Sequence, residues 1–234
     1  MKKSISLLLS VILVVAMTSF SFADVEVSRG IYDDNELDVF DENQFEITNL
    51  ELFSELQGNG PKPSMYALRA NLLRVASGGR IRGYTMSADF LEHSTIDNAS
   101  DLYFYDGSSE SDKIKNSNEY EIILENVKRN LRSTYGNVYK ITRESIVLNS
   151  TRDLHLALNK VDYSVYAEKI SYNKWEIFIT VHDTYNFEPA TWENYAGLNR
   201  ALVIFLNNYG LMCQNEGAVI PYDIYITMNS QITI

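Results

Sequence analysis

Apolar positions recur at intervals of three and four residues in three stretches of the chain, the spacing of amphipathic helices. The first stretch follows Pro63, and we expect it to end at Gly78 and Gly79, which can adopt the left-handed C-terminal conformation. The second stretch runs from about residue 117 to residue 133, and its last turns are basic, as the helix dipole favours. The third covers residues 191–213. The pattern therefore predicts three helices.

Strict alternation of apolar and polar residues predicts two strands, over residues 161–168 and 175–182, joined by a hairpin turn. A further strand is expected over residues 222–228, after Gly217 breaks the third helix. The segment 94–111, rich in Asp, Asn, Ser and Gly, is interpreted as an irregular connection. Together these elements predict an α+β fold in which an antiparallel sheet is backed by helices.

The N-terminal residues have the pattern of a cleaved secretory signal. Lys2 and Lys3 precede a short apolar run, and residues 21–23 have the small-x-small form that signal peptidase accepts. The run is short for a bilayer span of about 20 residues, which leaves a retained anchor helix as the alternative. We therefore expect residues 1–23 to be removed and the protein to be secreted from a bacterium. With no cysteine at the cleavage point, no lipid anchor is expected, and so no stable membrane anchor after cleavage.

Charge separates an acidic leader from the body of the chain. The formal net charge is −11, and residues 24–57 hold eleven acidic residues against one basic residue, Arg29. Glycine and proline between residues 57 and 63 then favour a boundary. We assign residues 24–60 to the leader and 61–234 to one α+β domain. The leader is interpreted as a solvated linker, with a propeptide or a cation-binding strip as alternatives. Because the chain is acidic, nucleic acid is not expected as a partner.

The motifs that mark common cofactor and metal sites are absent from the sequence. There is no P-loop, GxGxxG, GxSxG, HExxH or paired CxxC, so we expect neither a cofactor nor a metal. Cys213 is the one cysteine and is interpreted as a buried, unreactive thiol. The spacing of His93, His155 and His182 does not require that they converge.

The densest group of chemically capable residues lies at the end of the second predicted hairpin strand. In an extended chain Asp183 and Tyr185 point to one side, and His182 points to the other with Thr184. A carboxylate beside a phenol can orient water, bind a cation or accept a proton. We therefore take Asp183, Tyr185 and His182 as candidate catalytic residues. The alternative is structural, because Asp is a turn former and Tyr185 can close the core. Candidate binding residues are Tyr185, Glu188 and His155.

The sequence Asp-Thr-Tyr-Asn-Phe at residues 183–187 resembles the Asp-x-Tyr-Asp-Phe element of colicin M-type bacteriocins, which cleave the lipid-linked peptidoglycan precursor. Position by position, the resemblance carries over Asp183 and Tyr185. Asn186 stands where that family has an acid. In that family a His-Arg pair follows shortly after the element, whereas here no such pair follows before the next predicted helix. Residues 155–189 also resemble uncharacterised secreted modules of Gram-positive bacteria, which implies a location and not a reaction.

Two functions remain open from the sequence. One is a non-catalytic extracellular module that binds a cell-wall component or an extracellular protein through some of its sixteen tyrosines, whose flat rings with polar tips suit such contacts. The other is an envelope-directed hydrolase or bacteriocin-like effector in which Asp183 and Tyr185 act with His182 or His155.

The signal-peptide interpretation makes a direct prediction about the exported protein. Cleavage after Ala23 leaves Asp24 as the first residue. Intact-mass analysis of the protein collected from the culture medium should therefore give the mass of residues 24–234. A mass that includes residue 1 would contradict the prediction.

Overall fold

The computed structural model describes residues 64–189 and 200–234. The chain divides into two units, Met1–Pro61 and Lys62–Ile234, and every described residue belongs to the second. The expected signal peptide and acidic leader lie outside the described residues, as does the first part of the third predicted helix.

Six helices and five strands make up the described part of the domain. The helices are α1 (Met65–Ile81), α2 (Thr85–Ser94), α3 (Ser109–Lys115), α4 (Asn118–Leu131), α5 (Arg152–Ala157) and α6 (Arg200–Asn215). The strands are β1 (Leu102–Phe104), β2 (Val138–Val147), β3 (Lys160–Lys169), β4 (Lys174–Tyr185) and β5 (Tyr222–Thr233).

The strands form one sheet in the order β1-β5-β4-β3-β2. Strands β2 to β5 pair antiparallel, and the three-residue strand β1 adds to β5 in parallel. The predicted α+β fold is confirmed, with the one difference that the sheet is mixed because of β1.

The hairpin β3–β4 follows the predicted alternation over residues 161–167 and 175–181. Every second side chain is buried, and register pairs such as Val165 with Ile179 place these side chains on the same face. The buried set consists of Val161, Tyr163, Val165, Ala167, Trp175, Ile177, Ile179 and Val181. The alternate side chains, partly or well exposed, occupy the opposite face, which we call the outer face.

Helix α4 also matches its prediction. Ser117 is the N-cap, and its hydroxyl accepts a hydrogen bond from the amide of Tyr120 at 3.2 Å. Ile123, Val127 and Leu131, at helical spacing, are fully buried. Helix α4 therefore contributes one apolar stripe to the core.

The end of α1 differs from the prediction. The helix continues through Gly78 and Gly79 to Ile81, and Gly83 is the residue with the left-handed conformation, at φ 82°. The amides of Arg82 and Tyr84 both donate to the carbonyl of Gly79, at 3.0 and 2.9 Å. The glycine pair therefore lies within the last turn of the helix, and the chain reverses at Gly83, four residues after Gly79.

The segment 94–111 is not wholly irregular, which corrects the prediction. It contains β1 and the beginning of α3, and it is tied to β5 by the side chains of Asp101 and Asp106, which accept hydrogen bonds from the amides of Asp223 and Asn229. Helices α2 and α5 and strand β2 have no counterpart among the predicted elements. Strand β5 extends five residues beyond the predicted end, to Thr233.

The register of β4 can be tested with two neighbouring substitutions. Ile179 is 0% exposed against the helices, so Ile179→Asp buries an unpaired carboxylate and should lower the free energy of unfolding by several kcal/mol. Thr180 is on the outer face, and Thr180→Asp should cost less than about 1 kcal/mol. Urea unfolding of both variants measures the difference. Equal losses would mean that both faces of β4 are buried.

Candidate functional site

Asp183 and Tyr185 lie on the helix-facing side at the end of β4, as the alternation predicts. Their register partners on β5 are Ile224 and Tyr222. The rings of Tyr185 and Tyr222 stack with centroids 5.3 Å apart, and Tyr185 is almost completely buried. The candidate carboxylate therefore lies beside a buried pair of phenols.

Helix α2 supplies further aromatic contacts to this pair. The ring of Phe90 meets Tyr185 edge-on at 6.3 Å, and the Tyr222 hydroxyl donates a hydrogen bond to the Phe90 carbonyl at 2.8 Å. His93 packs edge-on against Tyr222 at 4.6 Å, and its Nε2 lies 2.8 Å from the carbonyl oxygen of Ser100. His93 is thus the histidine of this aromatic cluster.

The loop after β4 is fixed to helix α6. The amide of Phe187 donates to the side-chain oxygen of Gln214 at 2.9 Å. The Phe187 ring lies against the backbone of Gly210, where a Cβ atom would be only 2.5 Å from the ring. Asn207 donates to the carbonyl of Glu188 at 2.5 Å. These contacts set the direction in which the chain leaves Asp183.

The environment of Asp183 changes its acid–base behaviour. Burial raises the pKa of the Asp183 carboxyl to about 7, against the opposing effect of a hydrogen bond from the Thr184 amide. Burial also raises the pKa of Tyr185 and Tyr222 well above the usual value for a phenol. Asp183 can therefore gain or lose a proton near neutral pH, whereas the two phenols keep theirs.

The other residues expected at this site lie elsewhere. His182 is on the outer face, opposite to Asp183. Glu188 is exposed in the loop after β4. His155 is on α5, whose Asp153 contacts the first turn of α2, and burial lowers the pKa of His155. The structure therefore brings Asp183 and Tyr185 together without either of the histidines expected to assist them.

The outer face carries a strip of stacked rings that crosses three strands. Tyr103 on β1, Tyr225 on β5 and His182 on β4 occupy one register row. The Tyr103 and Tyr225 rings are 5.0 Å apart at an interplanar angle of 7°, and the Tyr225 and His182 rings are 4.7 Å apart at 27°. Tyr103 is 59% exposed at the edge of the sheet. We call these three residues the aromatic strip.

A second aromatic group lies further along the same face. The rings of Tyr166 on β3 and Phe178 on β4 are 6.2 Å apart, and the Lys140 ammonium lies 5.2 Å from the Tyr166 ring. Tyr166 is 37% exposed. We call Tyr166 and Phe178 the second aromatic pair.

Small hydroxyl side chains separate the two aromatic groups. Ser164, Thr180 and Thr227 are register partners on β3, β4 and β5, and all three are partly exposed. In the part of the chain that the structure describes, their hydroxyls form no hydrogen bond with protein groups. We call these residues the hydroxyl row, and they are open to solvent or to a ligand.

Two of the carboxylates beside the aromatic strip, Asp162 and Asp223, accept hydrogen bonds from protein side chains. Asp162 accepts hydrogen bonds from Ser145 at 2.6 Å and from the Arg143 Nε at 2.7 Å, which lower its pKa. Asp223 accepts from Thr184 at 2.7 Å and lies 3.5 Å from the Nε2 of His182. These contacts hold the edges of the strip in place.

The aromatic residues of the outer face other than His182 were not predicted as functional residues from the sequence. The alternation predicts polar side chains at the positions of Tyr225, Tyr166 and Phe178. Aromatic residues at these positions could have indicated a binding surface. Tyr103 lies in the segment 94–111, which was predicted to be irregular, so the sequence did not indicate that it belongs to a strand.

No known protein family, curated protein or solved structure matches the chain. Among residues 64–189 and 200–234, no group of three or more His, Cys, Asp or Glu side chains is arranged to hold a metal ion. No helix within the same ranges is long and apolar enough to cross a membrane.

The raised pKa of Asp183 predicts how stability changes with pH. In the folded protein the carboxyl keeps its proton up to about pH 7, whereas in the unfolded chain it loses it near pH 4. The folded state therefore loses stability as the pH rises from about 4 to about 7. Asp183→Asn has no such titration, so its melting temperature relative to the unsubstituted protein should rise by several degrees between about pH 5 and about pH 8. A constant difference would mean that Asp183 is ionised throughout.

Proposed function

We propose that the protein is an exported, non-catalytic module that binds a component of the cell envelope through the outer face of its sheet. The observation that carries the proposal is the aromatic strip of Tyr103, Tyr225 and His182 on a face that packs no core. The expected signal peptide supports the export, and the resemblance to secreted modules of Gram-positive bacteria supports the location.

Stacked rings on an exposed face favour binding for two physical reasons. Aromatic side chains bury a large area on contact, so exposing them to water forgoes stabilisation that a ligand can recover. Because each ring of the strip is held by its neighbour, few side-chain rotations are left to be lost on binding. The strip is therefore a preorganised contact surface.

A second candidate function is an envelope-directed hydrolase that uses Asp183. The observation in its favour is the carboxyl pKa of about 7, which suits a general acid or base. Against it, Tyr185 is nearly inaccessible and keeps its proton, and His182 faces the other side of the sheet. The geometry therefore supports the binding module better.

Binding to purified bacterial cell walls tests the proposed function. Tyr225→Ala and Tyr103→Ala each remove a ring from the strip and should lower the fraction of protein that sediments with the walls by about tenfold, as for a central contact residue. The matched control is Tyr135→Ala, because Tyr135 is a fully exposed tyrosine between α4 and β2.

The control variant should bind as the unsubstituted protein does, and so should Asp183→Asn, because Asp183 lies on the opposite face. Equal binding by Tyr225→Ala and the unsubstituted protein would overturn the proposal. Loss of precursor cleavage in Asp183→Asn, with cleavage shown by the unsubstituted protein, would favour the hydrolase.

A further inference from the structure

We infer that the ligand of the outer face is an uncharged glycan long enough to contact both the aromatic strip and the second aromatic pair. This inference rests on the proposed function and adds the chemical class and the minimum length of the ligand. Three features of the outer face carry it: the balance of charge, the open hydroxyl row and the distance between the aromatic groups.

The charge of the outer face is nearly balanced. Its acidic side chains are Asp101, Asp162, Glu168, Glu176 and Asp223, and its Lys and Arg side chains, one fewer in number, are Lys140, Arg143, Lys160 and Lys174. Glu168 and Glu176 are direct register partners, so two like charges face each other across β3 and β4. A polyanion gains nothing from such a surface and meets repulsion at this pair. The face therefore favours a ligand without charge.

The hydroxyl row supplies the polar contacts that a glycan requires. The hydroxyls of Ser164, Thr180 and Thr227 can each donate and accept a hydrogen bond. They have no protein partner among the described residues, so a ligand covering them has to bring matching donors and acceptors or leave them unsatisfied. A sugar presents hydroxyls around its ring and C–H groups on its faces. It can satisfy the hydroxyl row and pack against the neighbouring rings at once.

The spacing along β4 sets the minimum length. His182 of the aromatic strip and Phe178 of the second aromatic pair are four residues apart on the same strand, with Thr180 between them. At about 3.4 Å per residue, the two positions are about 14 Å apart. One sugar ring does not reach across this distance. An oligosaccharide running along the strands can contact both groups.

Two measurements with the full chain test the inference. The first compares sedimentation with cell walls before and after their anionic polymers are removed by acid, which leaves the glycan strands. Binding should stay within about twofold of its value on intact walls. Loss of binding to stripped walls, with Tyr225→Ala still impaired on intact walls, would overturn the uncharged ligand and leave the proposed function standing.

The second measurement is calorimetric titration with N-acetylglucosamine oligomers of one to six units. The longest oligomer should bind at least about tenfold more tightly than the dimer, because only the longer chain contacts both aromatic groups. Tyr166→Ala should remove this gain, whereas Tyr135→Ala should leave the affinities of all the oligomers unchanged. Absence of oligomer binding, or equal affinity for all lengths, would overturn the inference.

Wall binding that is unchanged by Tyr225→Ala would overturn the proposed function itself. This result differs from the results above, which overturn only the uncharged glycan as the ligand.

Thr180→Ala adds a check on the hydroxyl row. It should weaken binding of the longest oligomer while the melting temperature changes little, because Thr180 forms no hydrogen bond with described protein groups. Unchanged oligomer binding in this variant would contradict the part assigned to the row.

Discussion

The alternation of side chains along β4 is the constraint on which the rest of the domain depends. The strand pairs with β5 on one side and β3 on the other, and Trp175, Ile177 and Ile179 are almost wholly excluded from solvent. Because side chains of a strand alternate between faces, a shift of one residue would exchange the buried and exposed sets completely. Burial of this one row therefore fixes the register of both neighbouring strands and decides what the outer face displays.

One consequence is that residues adjacent in sequence serve different surfaces. His182 stacks on Tyr225 in the outer face, whereas Asp183 lies on the opposite face, where its charge acts on the buried phenols of Tyr185 and Tyr222. A cluster that looks continuous along the chain is thus divided by the sheet. Asp183 and His182 therefore lie in different environments on opposite faces of the sheet. This placement disfavours a catalytic mechanism that needs both side chains in one pocket.

The parts of the fold that follow a local period were predictable, and the parts that depend on distant partners were not. The hairpin β3–β4 and helix α4 carry their period in their own residues. Strand β1 is three residues long and is held by pairing with β5, far along the chain. Helix α2 has no side-chain cap of its own; Asp153, on α5, accepts hydrogen bonds from the amides of Met86 and Ser87. The aromatic strip was not predictable for the same reason, because the rings of Tyr103 and Tyr225 meet only when β1 pairs with β5.

The polar side chains of the outer face also explain how its exposed aromatic rings can avoid non-specific association with apolar surfaces. An apolar surface that pressed against the strip would also cover Ser164, Thr180 and Thr227, and burying hydroxyls without partners is costly. The opposed carboxylates of Glu168 and Glu176 add a further penalty for a flat apolar partner. A ligand gains from the rings only if it brings polar groups to the positions between them. Under the proposed function, the hydroxyl row therefore supplies the selectivity and the rings supply the contact area.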